Sequence, residues 1–120
     1  ADGLRSIPYF ARMVESFENG EDRMLRGAPQ LVVAHASKEG FDPLGDCTIA
    51  LEYLDLAAQA HGLGTCLAGV LVAAIGFKPE IRSLLGIPDD HRVCGAMMIG
   101  YPRQAYARIP PRNPLRVTWA

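Results

Sequence analysis

Phe10, Met13, Val14 and Phe17 recur at helical spacing near the start of the chain, with Ser6 placed to cap the helix and Asn19-Gly20 to stop it. Glu15, Glu18, Glu21 and Asp22 lie opposite or beyond, so the expected element is a helix laying one apolar face on a core or a partner. The pattern then changes. Gln30 to Ala36 follows Pro29 as a continuous apolar run rather than an alternating one, which predicts a short strand buried on both faces and ended by the turn Lys38-Glu39-Gly40.

A second helix is predicted over Cys47–His61, with Asp46 offering an N-cap carboxylate. Its seam Cys47, Ala50, Leu51, Leu54, Ala57, Ala58 is apolar, and so is the neighbouring row Ile49, Tyr53, Leu56, Ala60. Only Thr48, Glu52, Asp55 and Gln59 remain as a narrow polar stripe, so the helix is enclosed on most sides. Alanines in its last turns permit close approach of another helix or backbone. Such a helix suits a subunit interface or the middle of a compact layer.

Directly after it comes Gly62-Leu63-Gly64-Thr65-Cys66-Leu67-Ala68-Gly69. Glycine lacks Cβ and tolerates positive φ, so Gly62 can end the helix, Gly64 can turn the chain, and Gly69 can let a flat ligand approach its N–H. The same residues read equally as a helix C-cap and a turn. Val70 to Ile75 continues as a brief helix; Pro79 opens another, with Ile81, Leu84 and Leu85 facing inward until Gly86. Arg92 to Gly100 reads as a further strand, apolar on both faces. Pro102 to Pro114 carries four prolines and predicts an extended connector, after which Leu115, Val117 and Trp119 alternate with Arg116 and Thr118 at the period of a strand with one covered face.

Composition narrows the class of function. The 120 residues make one domain at most, and 49% hydrophobic with 21% charged residues is ordinary for a globular chain. Twelve basic and thirteen acidic side chains leave a formal charge of −1, which supplies no general attraction for nucleic acid or an anionic membrane. The tail is the local exception: Arg103, Arg108, Arg112 and Arg116 stand there without an acidic neighbour, a pattern suited to a small anion such as phosphate. Cysteines 47, 66 and 94 lack the close spacing of zinc or iron–sulfur sites, so no metal is expected. They read as buried thiols of a reduced, cytoplasmic chain with neither signal peptide nor membrane span. His35, His61 and His91 each stand alone in sequence, Asp89-Asp90 reads as a solvated turn, and no catalytic side chain is assigned.

The order of "GAPQLVVAHA", "DCTIALEYLDLAAQAHGLGTCLAGV", "RSLLGIPDDHRVCGAMMIGYP" and "RIPPRNP" resembles the C-terminal half of the flavin-dependent nitroreductase family, over roughly Arg26 to Trp119. The resemblance implies an α+β fold, present in part, with a central helix packed on a mostly antiparallel sheet. It implies a homodimer with FMN at the subunit interface, taking electrons from NADH or NADPH to a small aromatic acceptor such as a nitroaromatic or a quinone. By position, Cys66 and Leu67 lie against the isoalloxazine ring, the backbone around Ala68 and Gly69 donates near flavin N5 and O4, and Arg112 contacts the FMN phosphate.

Arginine suits that last task because its planar fork bonds two phosphate oxygens and stays charged. The family's N-terminal Arg-x-Ser-x-Arg phosphate clamp has no counterpart before Gly27, so residues 1–120 are expected to be a single domain fragment lacking it. The rival expectation is a non-catalytic half domain that keeps the helical dimer core and serves as a structural or dimerisation unit.

Overall fold

The computed structural model describes residues 8–105, 107, 108 and 111–119. Helix α1 (Pro8–Glu18) is followed by strand β1 (Gln30–Ser37), helix α2 (Pro43–Ala60), strand β2 (Gly64–Leu67), helices α3 (Gly69–Phe77) and α4 (Pro79–Leu84), and strand β3 (His91–Gly100). The sheet is antiparallel in the order β1-β3-β2, which puts the last strand at its centre.

That central position explains the unbroken apolar run of β3. Met97 and Ile99 enter a cluster with Leu51 of α2, against which Val32, Ala34, Leu54 and Leu63 pack. Ala96 and Met98 point the other way, into a cluster with Ala68 that Leu71 and Val72 of α3 help to close. A strand with a helix layer on each side cannot show a polar face. The α+β architecture with a central helix on an antiparallel sheet is therefore as expected.

Helix α2 starts earlier than its apolar seam suggests. Asp42, not Asp46, is the N-cap: its carboxylate accepts from the Gly45 amide at 3.0 Å, and Pro43 supplies the preset φ of the first helical position. Gly45 disguised this turn, since glycine weakens a helix interior, yet a Cβ there would run into the Asp42 carboxylate. Asp46 instead sits in the first turn, where its charge favours the helix dipole. At the other end His61 caps, Gly62 takes φ 70°, and the Gly62 and Leu63 amides donate to Gln59 and Ala58 carbonyls at 3.0 and 2.9 Å. This double closure is what glycine at that position makes possible, and it drops Leu63 into the core.

Other expectations need correction. The stretch 64–67 is not a loop but edge strand β2, because its backbone pairs with β3 from Gly64↔Gly100 to Leu67↔Met97. Phe17 is 71% exposed and α1 packs on no other described helix or strand; the Ser6 cap lies outside the described residues. In α4, Leu84 is exposed while Ile81 is partly buried. Residues 111–119 form no strand: no described strand of this chain pairs with them, and Trp119 is 90% exposed. Alternation names a face but cannot supply the neighbouring strand.

Between α1 and β1, Asp22 organises a turn by accepting from the amides of Met24, Leu25 and Gly27. Those bonds, the one from Leu25 foremost, hold its carboxyl below the usual carboxylate range. A depressed acid stabilises the fold above its unfolded-state pKa and loses that contribution as pH falls through the lower folded value. Acid unfolding below pH about 4 is accordingly expected to be less steep in Asp22→Asn, as read by circular dichroism.

Candidate flavin cavity

One wall of α2, the β2 edge strand, the bulged start of β3 and the first turn of α3 enclose a cavity of about 510 Å³. That is within the range of small-molecule and cofactor sites. Thr48, Glu52 and Asp55 line it from α2, so the narrow polar stripe of an otherwise apolar helix is the surface turned toward this space. Asp55 also fastens the wall together, accepting from Thr65 Oγ1 of β2 and from Gln59 Nε2 at 3.4 Å.

Cys66, Leu67 and Gly69 line the same cavity. Cys66 is exposed, against the expectation of a buried thiol, because β2 is an edge strand with only one neighbour. Leu67 is 68% exposed. Ala68 is buried, and its amide donates to the Ala96 carbonyl at 2.8 Å, so that N–H is already spent in holding the chain to β3. Gly69 is different. It opens α3, where the first amides have no intrahelical acceptor, and a Cβ built on it meets nothing within 4 Å. Of the two backbone donors expected here, the fold leaves the one at Gly69 available.

Arg112 is not brought into this group. It lies exposed on the extended segment after β3 and lines no part of the cavity of its own chain.

Cys94 is a residue the linear pattern did not single out. The β1–β3 register slips between Ala34, opposite Gly95, and His35, opposite Val93, leaving Cys94 as the extra residue of a bulge that turns it to the cavity wall. Beside it, burial first and the Cys94 thiol second push the Cys47 thiol up to about 11, so Cys47 stays protonated and unreactive at neutral pH.

The histidines are also not all isolated. His35 Nδ1 and His91 Nδ1 are 2.8 Å apart across β1 and β3, so one ring donates and the other accepts. Neither lines the cavity.

The sequence profile of the Nitroreductase family matches residues 2–101. The chain belongs to the nitroreductase family. This nitroreductase-family chain is 35% identical over 105 residues to an Archaeoglobus fulgidus protein provisionally named an NADH dehydrogenase/NAD(P)H nitroreductase, covering 83% of this chain and 59% of that one. Its fold is similar to that of a Bacteroides fragilis nitroreductase with bound FMN, at 26% identity and a TM-score of 0.60, over 85% of this chain and 56% of the other. An iodotyrosine deiodinase bound to FMN and 3-iodo-L-tyrosine shares the fold alone, with a TM-score of 0.62 at 22% identity over 93% of this chain and 58% of that one. The chain thus spans little more than half the length of these relatives.

Proposed function

We propose that this chain is the flavin-bearing part of an FMN-dependent oxidoreductase that passes electrons from NADH or NADPH to nitroaromatic, quinone or similar small aromatic acceptors. The observation that carries the reading is the bare backbone of Gly69 at the wall of a 510 Å³ cavity, in a family whose Bacteroides fragilis member holds FMN. When bound, the flavin supplies the redox chemistry, accepting a hydride equivalent and handing electrons on.

The residues present fit such a ring. Gly69 offers an unobstructed amide at a helix N-terminus, whose dipole favours the negative charge of a reduced ring edge. Leu67 and Val72 give the cavity apolar surface, while Thr48, Thr65, Glu52 and Asp55 provide polar groups at its other side. No side-chain acid or base is needed for this chemistry, and none is assigned.

Adding FMN to the purified chain tests the reading: saturable quenching of flavin fluorescence supports it, whereas flavin that stays free favours the non-catalytic half domain. Arg112 is proposed to bind the FMN phosphate by moving its arm onto its own cavity or onto that of a second copy. Arg112→Ala is then expected to weaken FMN binding by about 1.5–3 kcal/mol, the worth of a hydrogen bond to a charged group. Unchanged affinity in that titration removes Arg112 from the site.

The homodimer is also proposed. Its support is the row Ile49, Tyr53, Leu56 on α2, which stays exposed in the single chain, Tyr53 by 75%. The same row is what favours the second reading, a dimerisation unit without catalysis. Light scattering is expected to give a dimer for the wild type and a monomer for Tyr53→Glu. No described helix is long and apolar enough to cross a membrane, which suits the cytoplasmic placement proposed here.

A further inference from the structure

A second groove, of about 650 Å³, shares no lining residue with the cavity at Gly69. Three separate segments build it: α1 contributes Tyr9 and Arg12, the Asp22-held turn contributes Arg23 and Arg26, and the segment after β3 contributes Arg103. Glu21 and Asp22 also line it, but both are engaged. Glu21 pairs with Arg23 at 2.8 Å, and the Asp22 oxygens are taken up by three backbone amides.

Arg12, Arg26 and Arg103 therefore line one groove with no ion pair to a carboxylate among the described residues. Four arginines and two carboxylates line the groove, an excess of two positive charges that favours an anion there.

The backbone at Arg26 points the same way. Its φ is 55°, in the left-handed region where a residue with a Cβ is strained and glycine is at ease. The next residue, Gly27, has φ 65° and meets that demand with glycine. An arginine held in such a backbone suggests that its side chain has a use.

We propose that this groove binds the diphosphate of a nucleotide, with Arg12, Arg26 and Arg103 around the phosphate oxygens and the base against Tyr9. A diphosphate matches the groove because each guanidinium fork can take two oxygens, and several forks need several oxygens. Tyr9 supplies the aromatic part: its ring is 58% exposed, held edge-on to Phe10 with centroids 5.5 Å apart, and lines the same groove. Bases stack on such rings with little sequence preference. The inference stands independently of the flavin reading.

Isothermal titration of the full chain with ADP and with inorganic pyrophosphate, at low salt, tests it. Both probes are expected to bind at one site, with ADP tighter, and added salt is expected to weaken both. Arg12→Gln combined with Arg103→Gln is expected to lose about tenfold or more in affinity, as befits lost bonds to a charged group. Arg26→Gly separates binding from folding: removing the strained Cβ is expected to hold or raise the melting temperature while binding falls. Tyr9→Ala is expected to erase the advantage of ADP over pyrophosphate.

No heat with either probe at millimolar concentration overturns the proposal, as do arginine variants that bind like wild type. Displacement of ADP by FMN overturns it too, because the groove is then part of the flavin site. Equal affinity for ADP and pyrophosphate overturns the nucleotide assignment.

Discussion

Gly69→Val is expected to abolish FMN binding, and any reductase activity that depends on it, while thermal unfolding stays close to wild type. Most glycine-to-valine changes in a packed protein confound binding with folding, but a Cβ at Gly69 meets no atom within 4 Å. Its φ is not among the positive values that would strain a branched residue. The added Cβ therefore enters open space rather than packed atoms, at a residue that lines the cavity. Its bulk sits next to the one amide of the 68–69 pair that the sheet has not already used. Flavin fluorescence and a melting curve read the two effects separately. Retained FMN affinity would place the ring elsewhere and remove the basis of the proposed function.

Leu51→Ala carries the largest expected effect on stability. Leu51 is only 7% exposed and joins Met97 and Ile99 in the cluster between α2 and the central strand. Truncating a buried leucine costs about 2–5 kcal/mol, from lost burial and from the cavity left behind. The site also offers an internal check. A Cβ added at Gly95 would collide with Leu51 Cδ1, so α2 approaches β3 there because one partner is large and the other has no side chain. Gly95→Ala alone is expected to destabilise by overpacking, about 1–3 kcal/mol. In Leu51→Ala/Gly95→Ala the new methyl occupies part of the vacated space, so the double variant is expected to lose less than the sum of the singles. Additive losses in chemical denaturation would mean that the two residues do not share that space.

Leu51 and Gly95 also illustrate what a linear reading can reach. Cys47, Leu51 and Ala58 of the α2 seam and the doubly apolar run of β3 were legible because burial on one or two faces imposes a period on the residues themselves; Ala50 and Ala57 of that seam, and the row expected to be enclosed beside it, are exposed in the single chain. Gly62 was legible because a left-handed helix end demands glycine. The stripe Thr48, Glu52, Asp55, Gln59 was visible as well, although its meaning as a cavity wall was not: a helix pattern says that a face is polar, not what it faces. Strand β2 escaped because four residues, Gly64 to Leu67, are too few to show alternation, and its hydrogen bonds come from residues 97–100. The His35–His91 contact joins rings 56 positions apart, a distance over which no local spacing rule operates.

The amino-acid sequence by itself determined the principal helix, the two longer strands, the glycine at which the helix ends and the family to which the chain belongs. The helix, the strands and the glycine depend on short-range chemistry: propensity, period, or the freedom of one residue's φ; the family was legible as a resemblance carried by several motifs in order. Tertiary structure alone decided that β3 lies between its neighbours and that Cys94 is bulged toward the cavity. It also decided that Ala68 spends its amide on the sheet while Gly69 keeps its own outside the helix ladder, and that arginines from three segments meet in one groove. Those outcomes depend on which backbone groups find partners across the sheet and on which distant segments are brought together, and neither is encoded in the spacing of residues along the chain.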